Sequence, residues 1–285
     1  MRRTSAHNKN TNASSLQCRH YPHIIMRVYL WTWLIAIVVP LAILGIWCFL
    51  NRWPDLIPSA WTLRGFQSLL AGTYDLWSIT GFSLLLSLTV ACLSTAIATL
   101  AARAFCFYEF VGKGVVHVVT MLPIIVPVTV FAMGVHILFI RMHINNSVWA
   151  VLLVQLLCVI PFSVKIMIDV TQAAGNRYEQ QAHMLGAGCV RAFISGSLPV
   201  IAPGIVSSIA IAFVMSSSQY FLTMLMGGGR IETLATLLMP LIISSERALS
   251  SVYSMFFIAI NALVFLMLQL LANKLAKQSG QNLGV

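Results

Sequence analysis

Acid is what this chain has least of. Seven of its 285 residues are Asp or Glu, and with 17 Lys or Arg the charged share is only 8 %, against about 25 % in a soluble domain. Hydrophobic residues make up 59 %, and the mean hydropathy is +0.89. So few charges cannot clothe so much apolar mass in water, which excludes a soluble globular protein. Disorder is excluded as well, because it needs low hydrophobicity. The net charge of +10 would suit nucleic acid, but the placement of the cations accounts for it better.

Catalytic signatures are missing too. A phosphate-binding loop needs G-x-x-x-x-G-K-[ST]. The one Gly-Lys pair, Gly112-Lys113, is followed by Gly114 and has no glycine at the required spacing before it. No H-E-x-x-H or C-x-x-C occurs, and His117 and His136 have no carboxylate near them in their apolar runs. These histidines read as packing or pathway residues. Neither nucleotide hydrolysis, metal binding nor enzymatic catalysis is indicated.

What remains is length of apolar run. Six stretches are long enough to cross a bilayer at about 20 residues each: 28–50, 79–102, 115–140, 148–167, 200–221 and 252–272. None holds a charge except Lys165, just inside the end of the fourth. A charge at mid-membrane costs about 2.5–3.5 kcal/mol on insertion scales, so this emptiness is informative. The expected fold is all-α, a polytopic membrane protein of six transmembrane helices.

Lys and Arg set the orientation. With the N-terminus inside, the cytoplasmic side carries Arg2, Arg3, Lys9, Arg19, Arg27, Arg103, Lys113, Lys165, Arg177, Arg191, Lys274 and Lys277, and the outer side Arg52, Arg64, Arg141, Arg230 and Arg247. Both termini are then cytoplasmic. Cys48, Cys92 and Cys158 fall in spans and Cys18, Cys106 and Cys189 in cytoplasmic segments, so no disulfides are expected. Residues 1–27 read as a disordered basic tail rather than a cleaved signal, and 273–285 as a second tail. The outer loop 51–77 offers Trp53, Trp61 and Trp77 as interfacial anchors. No internal repeat is visible, which weakens an inverted-repeat secondary transporter.

The cytoplasmic connection 169–198 is patterned. Tyr178, Ala182, Leu185, Cys189 and Phe193 fall on one helical face. Gly186 interrupts that helix and permits a sharp turn or close approach by another backbone. Pro199 and Pro203 suit the first turns of a new helix. An apolar stripe without a core beneath it either lies on lipid headgroups or docks into the groove of a partner.

Inside the spans, Pro123 and Pro127 free the carbonyls of Val119 and Pro123, and Pro161 frees that of Leu157. Such kinks shape a cavity or a gate, or simply bend packed helices. Gly204, Ser208, Ala212 and Ser216, each four apart, form a small-residue stripe for packing against another helix, in this chain or in a second chain at a dimer axis. Ser216, Ser217 and Gln219 belong to a polar cluster that faces either a pathway or another helix. Gly227-Gly228-Gly229 reads as a flexible outer loop. Arg230, Glu232, Glu246 and Arg247 are charged residues of the outer loop 222–250.

The loop residues resemble the EAA motif of type I ABC importer permeases: E-A-A-x-x-x-G, often with Ala next, then a spacer and Leu-Pro. Gln180, Gln181 and Ala182 stand at the E-A-A positions, Gly186 at the glycine, with Ala187 after it, and Leu198-Pro199 at the Leu-Pro. Leu122-Pro123 with Pro127 resembles the family's L-P-x-x-x-P, and Pro161-Phe162 its P-F. Residues 78–272 resemble the five-helix permease core, with 28–50 as an added first helix. The branch resembled is that of the polyamine, thiamine, iron(III), sulfate and phosphonate importers.

The resemblance implies a permease subunit in the bacterial inner membrane that moves a small solute by alternating access. It implies a second permease, identical or related, and a periplasmic substrate-binding protein met by the outer loop. It also implies cytoplasmic ABC ATPase subunits that use the ATP, so that this chain needs no cofactor. Glu179, Gln180, Gln181, Ala182, Leu185, Gly186 and Ala187 would seat in an ATPase groove, with Ala182 and Leu185 giving apolar contact and Gly186 tight approach. The family's acid is Gln180 here, with Glu179 one position earlier. Any pairing of that acid with the ATPase therefore falls to Glu179 or is lost. A secondary transporter or channel is the alternative, but intramembrane ionisable residues are nearly absent.

Overall fold

The computed structural model describes residues 21–49, 63–71, 75–243 and 247–282. Among them every regular element is helical, as the apolar runs require. In hydrocarbon a helix satisfies its own backbone polar groups without water.

Three long helices make the core: α3 (Leu76–Phe107), α6 (Val148–Ala174) and α9 (Leu198–Ser217). Their order follows from burial at helical spacing. On α3 the buried residues run Ile79, Ser83, Leu86, Val90, Ser94, Ala98 and Ala102, one stripe of a 3.6-residue period. Small residues in it let the backbones close up. Val90, Val151, Val154 and Phe213 fill one end of the core. Ala98, Val164, Met167 and Ile201 fill the other.

The remaining helices lie around this core. α1 (Tyr21–Trp47) and α2 (Arg64–Leu70) touch α12 (Arg247–Asn282), which packs along α9. α1 leaves almost its whole apolar surface exposed, as a helix facing lipid or another chain would. It starts at Tyr21, before residue 28, and α12 continues through Lys274 and Lys277 to Asn282. Pro22 falls in the first turn of α1, where a missing N–H matters least, and no proline lies in 273–282, so both helices run past their apolar stretches.

The third run is not one straight helix. It divides into α4 (Lys113–Ile125) and α5 (Val128–Arg141), whose axes differ by 107°. Val126, extended at ψ 134°, and Pro127 form the break. A residue before proline is driven from the helical region, and Pro127 cannot continue the ladder of α4. The pair still crosses from one end to the other. His117 of α4 lies edge-on to Phe105 near the end of α3, at 5.4 Å. Just after α5, the Asn146 N–H reaches the Met226 carbonyl at 2.9 Å, at the opposite end. With the bent pair counted as one, the described residues hold six helical stretches long and apolar enough to cross a membrane.

Two further differences have local causes. α9 stops at Ser217 rather than near 221, because Ser217 and Ser218 bond back to the carbonyls of Val214 and Met215, a local alternative to the helix. The segment 222–250 is not a plain loop, since it holds the end of α10 (Tyr220–Gly227) and all of α11 (Leu234–Ile243). The glycine run makes a tight turn, closed by the Arg230 N–H on the Gly227 carbonyl at 3.0 Å. Gly228 and Gly229 adopt left-handed φ of 56° and 73° and cap α10. The expected tail up to residue 20, loop residues Arg52, Trp53 and Trp61, and Glu246 lie outside the described residues, as does the side chain of Arg247. Trp77 is exposed and meets Phe256 edge-on at 6.5 Å.

Candidate functional site

The connection after α6 has a locked base and a bare tip. α6 runs on to Ala174, so the connection begins at Gly175 and not at 169. It consists of α7 (Arg177–Met184), a turn, the single helical turn α8 (Cys189–Ala192), and a π-helical turn Phe193–Ser197 that leads straight into α9.

The turn after α7 explains the Gly-Ala pair. The Gly186 N–H bonds the His183 carbonyl at 2.9 Å, and the Ala187 N–H bonds the Ala182 carbonyl at 3.0 Å. That crossed pair is a Schellman closure, which requires a left-handed residue after the C-cap. Gly186 supplies it with φ of 84°. The His183 ring nitrogen Nδ1 adds a contact of 2.9 Å to the Ala187 carbonyl. The expectation that Gly186 serves close approach has no counterpart inside this chain, because a Cβ there would meet nothing within 4 Å. Inside the chain its role is conformational, and the space around it is open. The single-helix reading of Tyr178 to Phe193 divides at this turn. Ala182 is half-buried and Cys189 exposed, while Phe193 turns inward.

The tip is apolar and uncovered. Met184 and Leu185 are each 89 % exposed and Val190 72 %. Gln180 and Gln181 are exposed beside them.

The base is held by a group that sequence patterning missed. Glu179 points inward and is 6 % exposed. Arg103, near the end of α3, grips its carboxylate with both guanidinium arms, Nη2 to Oε2 at 3.0 Å and Nη1 to Oε1. The Arg103 Cζ stands 4.2 Å above the Phe193 ring. Burial raises the Glu179 pKa, but hydrogen bonds from Arg103 and Ser197, the Arg103 charge and a smaller contribution from His183 together leave it lowered. A lowered carboxylate pKa gives stability that is complete above the unfolded value, about 4.3. That stability fades only as the pH falls through the lower folded value. Glu179 is therefore committed within its own chain in this conformation, where the sequence left open a pairing with the ATPase.

The six residues placed on a pathway lie on different elements. Pro123 lies inside α4, three residues before the break, and Pro127 is part of the break itself. Pro161 is buried within an unbroken α6. Ser216, 2 % exposed, donates to Gln155 Oε1 at 2.6 Å, and Gln155 Nε2 donates to Thr223 at 2.9 Å. Of the two roles left open for Ser216, the structure shows helix–helix bonding. Ser217 shares its one hydroxyl proton between the Val214 carbonyl at 3.1 Å and Asn261 Oδ1 of α12 at 2.5 Å, and Gln219 is half-buried.

The small-residue stripe packs inside this chain. Gly204 faces Val170 of α6, and Ser208 meets Thr95 of α3 at 3.2 Å. That face is occupied by α3 and α6 of the same chain. At the other end, Ser78, Phe82, Val148, Arg230 and Glu232 line a cleft of about 350 Å³.

A bundle of helices, five or six of them among the described residues long and apolar enough to cross a bilayer, with one patterned, tip-exposed connection defines a multi-pass membrane protein. More particularly, the chain belongs to the family of binding-protein-dependent transport system inner membrane components, whose profile matches residues 94–277. That match runs from within α3 to within α12 and includes the whole α7–π-turn connection. The family is one of ABC transporter permease subunits and not a class of enzymes. A search of curated proteins finds no match.

Proposed function

We propose that this chain is one of two permease subunits lining a path for a small solute across the bacterial inner membrane, switched by alternating access. The connection 175–197 lies in the cytoplasm, as do both termini, and seats in a groove of a separate ABC ATPase. That ATPase consumes the ATP, and this chain holds no cofactor. Gln180, Gln181, Ala182, Leu185, Gly186 and Ala187 face the seat, with Glu179 anchoring it from behind. A periplasmic binding protein delivers the solute to the end that carries Arg230 and Glu232. Pro123, Pro127, Pro161, Ser216, Ser217 and Gln219 belong to the helices that rearrange around the path.

One observation carries the reading: Met184 and Leu185 stand almost bare beyond a base that is hydrogen-bonded and ion-paired. Apolar side chains held out on a rigid support fit a protein groove. A photo-crosslinker at Leu185, in the purified complex, should capture the ATPase, and uptake should stop when ATP is exhausted. Capture of phospholipid alone, with uptake continuing, would overturn the proposal. Gly186→Asp should leave the chain in the membrane yet lower both ATPase co-purification and transport. It adds a charge at the seat, and a side chain at left-handed φ costs about 1–2 kcal/mol.

A further inference from the structure

We propose that Arg103 is a positioning residue for coupling: it clamps α7 to the end of α3, so that the connection and the transmembrane core move as one body. The inference rests on the proposed docking of that connection, and deepens it. Arg103 is the single charge of α3, and Glu179 the single acid of residues 175–197. Side chains 76 positions apart in sequence meet here.

The guanidinium engages two elements at once from a third. Its arms hold the Glu179 carboxylate on α7, while its face covers Phe193 in the π turn. Ser197, at the end of that turn, bonds the same carboxylate. Forked guanidinium–carboxylate pairs fix orientation as well as distance. The side chains of Arg103 and Glu179 are 16 % and 8 % exposed, so water competes little for either.

The backbones are also in contact. A Cβ on Gly196 would sit 3.0 Å from the Tyr178 carbonyl oxygen, so the first turn of α7 packs backbone to backbone on the π turn. The other cations of the connection, Arg177 and Arg191, are exposed. A push delivered at Leu185 therefore reaches α3 through Arg103 and reaches α9 through the π turn. Without the clamp, α7 would hinge at Gly175 and absorb the push.

Two measurements separate this inference from the docking it presumes. The first needs no partner. In the detergent-purified chain, Arg103→Gln should raise amide exchange across α7 by about tenfold, while exchange in the middle of α9 stays unchanged. The second uses the reconstituted complex. Arg103→Gln and Glu179→Gln should retain ATPase binding within about twofold, because the tip is intact. Solute moved per ATP should fall about tenfold, and the exchanged pair Arg103→Glu with Glu179→Arg should recover most of it. Should Arg103→Gln not accumulate, Phe193→Leu removes the ring and keeps the ion pair, and a threefold loss of coupling, roughly, is expected. Unchanged exchange in α7, or loosened α7 with unchanged coupling, overturns the clamp. Absence of any ATPase from the wild-type complex overturns the docking instead, whatever α7 does.

Discussion

Replacing Met184 and Leu185 together with Asp should abolish ATPase co-purification while leaving the chain in the membrane at its usual level. Neither side chain supports the fold, since each is 89 % exposed. Full burial of a Leu or Met contributes about 1.5–3 kcal/mol, and each 1.4 kcal/mol is tenfold in affinity. Losing both contacts weakens docking by two to four orders of magnitude, roughly, before the cost of burying two carboxylates is added. Pull-down from mild detergent measures it, with thermal unfolding of the isolated chain as the control. An equal yield of ATPase from the variant would show that the tip is not the docking surface. Ala182 should matter less, because it is already half-buried against its own turn.

How legible this was depended on the distance over which each feature is set. The spans are local properties of composition, and α1, α3, α6, α9 and α12 fall on apolar runs that could be read directly. Gly186 and Ala187 were legible because a helix-ending turn is decided within a few residues. Pro123 and Pro127 marked a bend, but a bend of 107° depends on what packs beside it. Nothing local distinguished Arg103 from the other inner-side cations, since its role exists only once Glu179 arrives from another helix. Ser216 raised the same difficulty. A hydroxyl in an apolar run needs a partner, and periodicity cannot say that the partner is Gln155 on α6. The stripe from Gly204 to Ser216 announced close packing and left its neighbour open.

That neighbour leads to the second large effect, Gly204→Val, which should destabilise the fold and not merely the coupling. An added Cβ would stand 2.4 and 2.6 Å from the two γ-carbons of Val170 and 3.1 Å from its Cβ. Val170 is β-branched and stiff at χ1, so it cannot swing aside as a long side chain would, and α6 and α9 must separate. Separation stretches the Ser216–Gln155 bond between α9 and α6. Hydroxyls and amides pulled from their partners in an apolar interior add their own penalty. Overpacking alone costs about 1–3 kcal/mol, and the lost bonds raise it further. Thermal unfolding in detergent should therefore shift down by several degrees, and membrane yield should fall. Gly204→Ala with Val170→Ala, which trades volume across the contact, should restore most of both. Gly134→Ala on α5, where a Cβ meets nothing within 4 Å, should leave them unchanged. If Gly204→Val unfolds at the wild-type temperature, α6 and α9 are not in contact along this face, and the core described above is wrong at its centre.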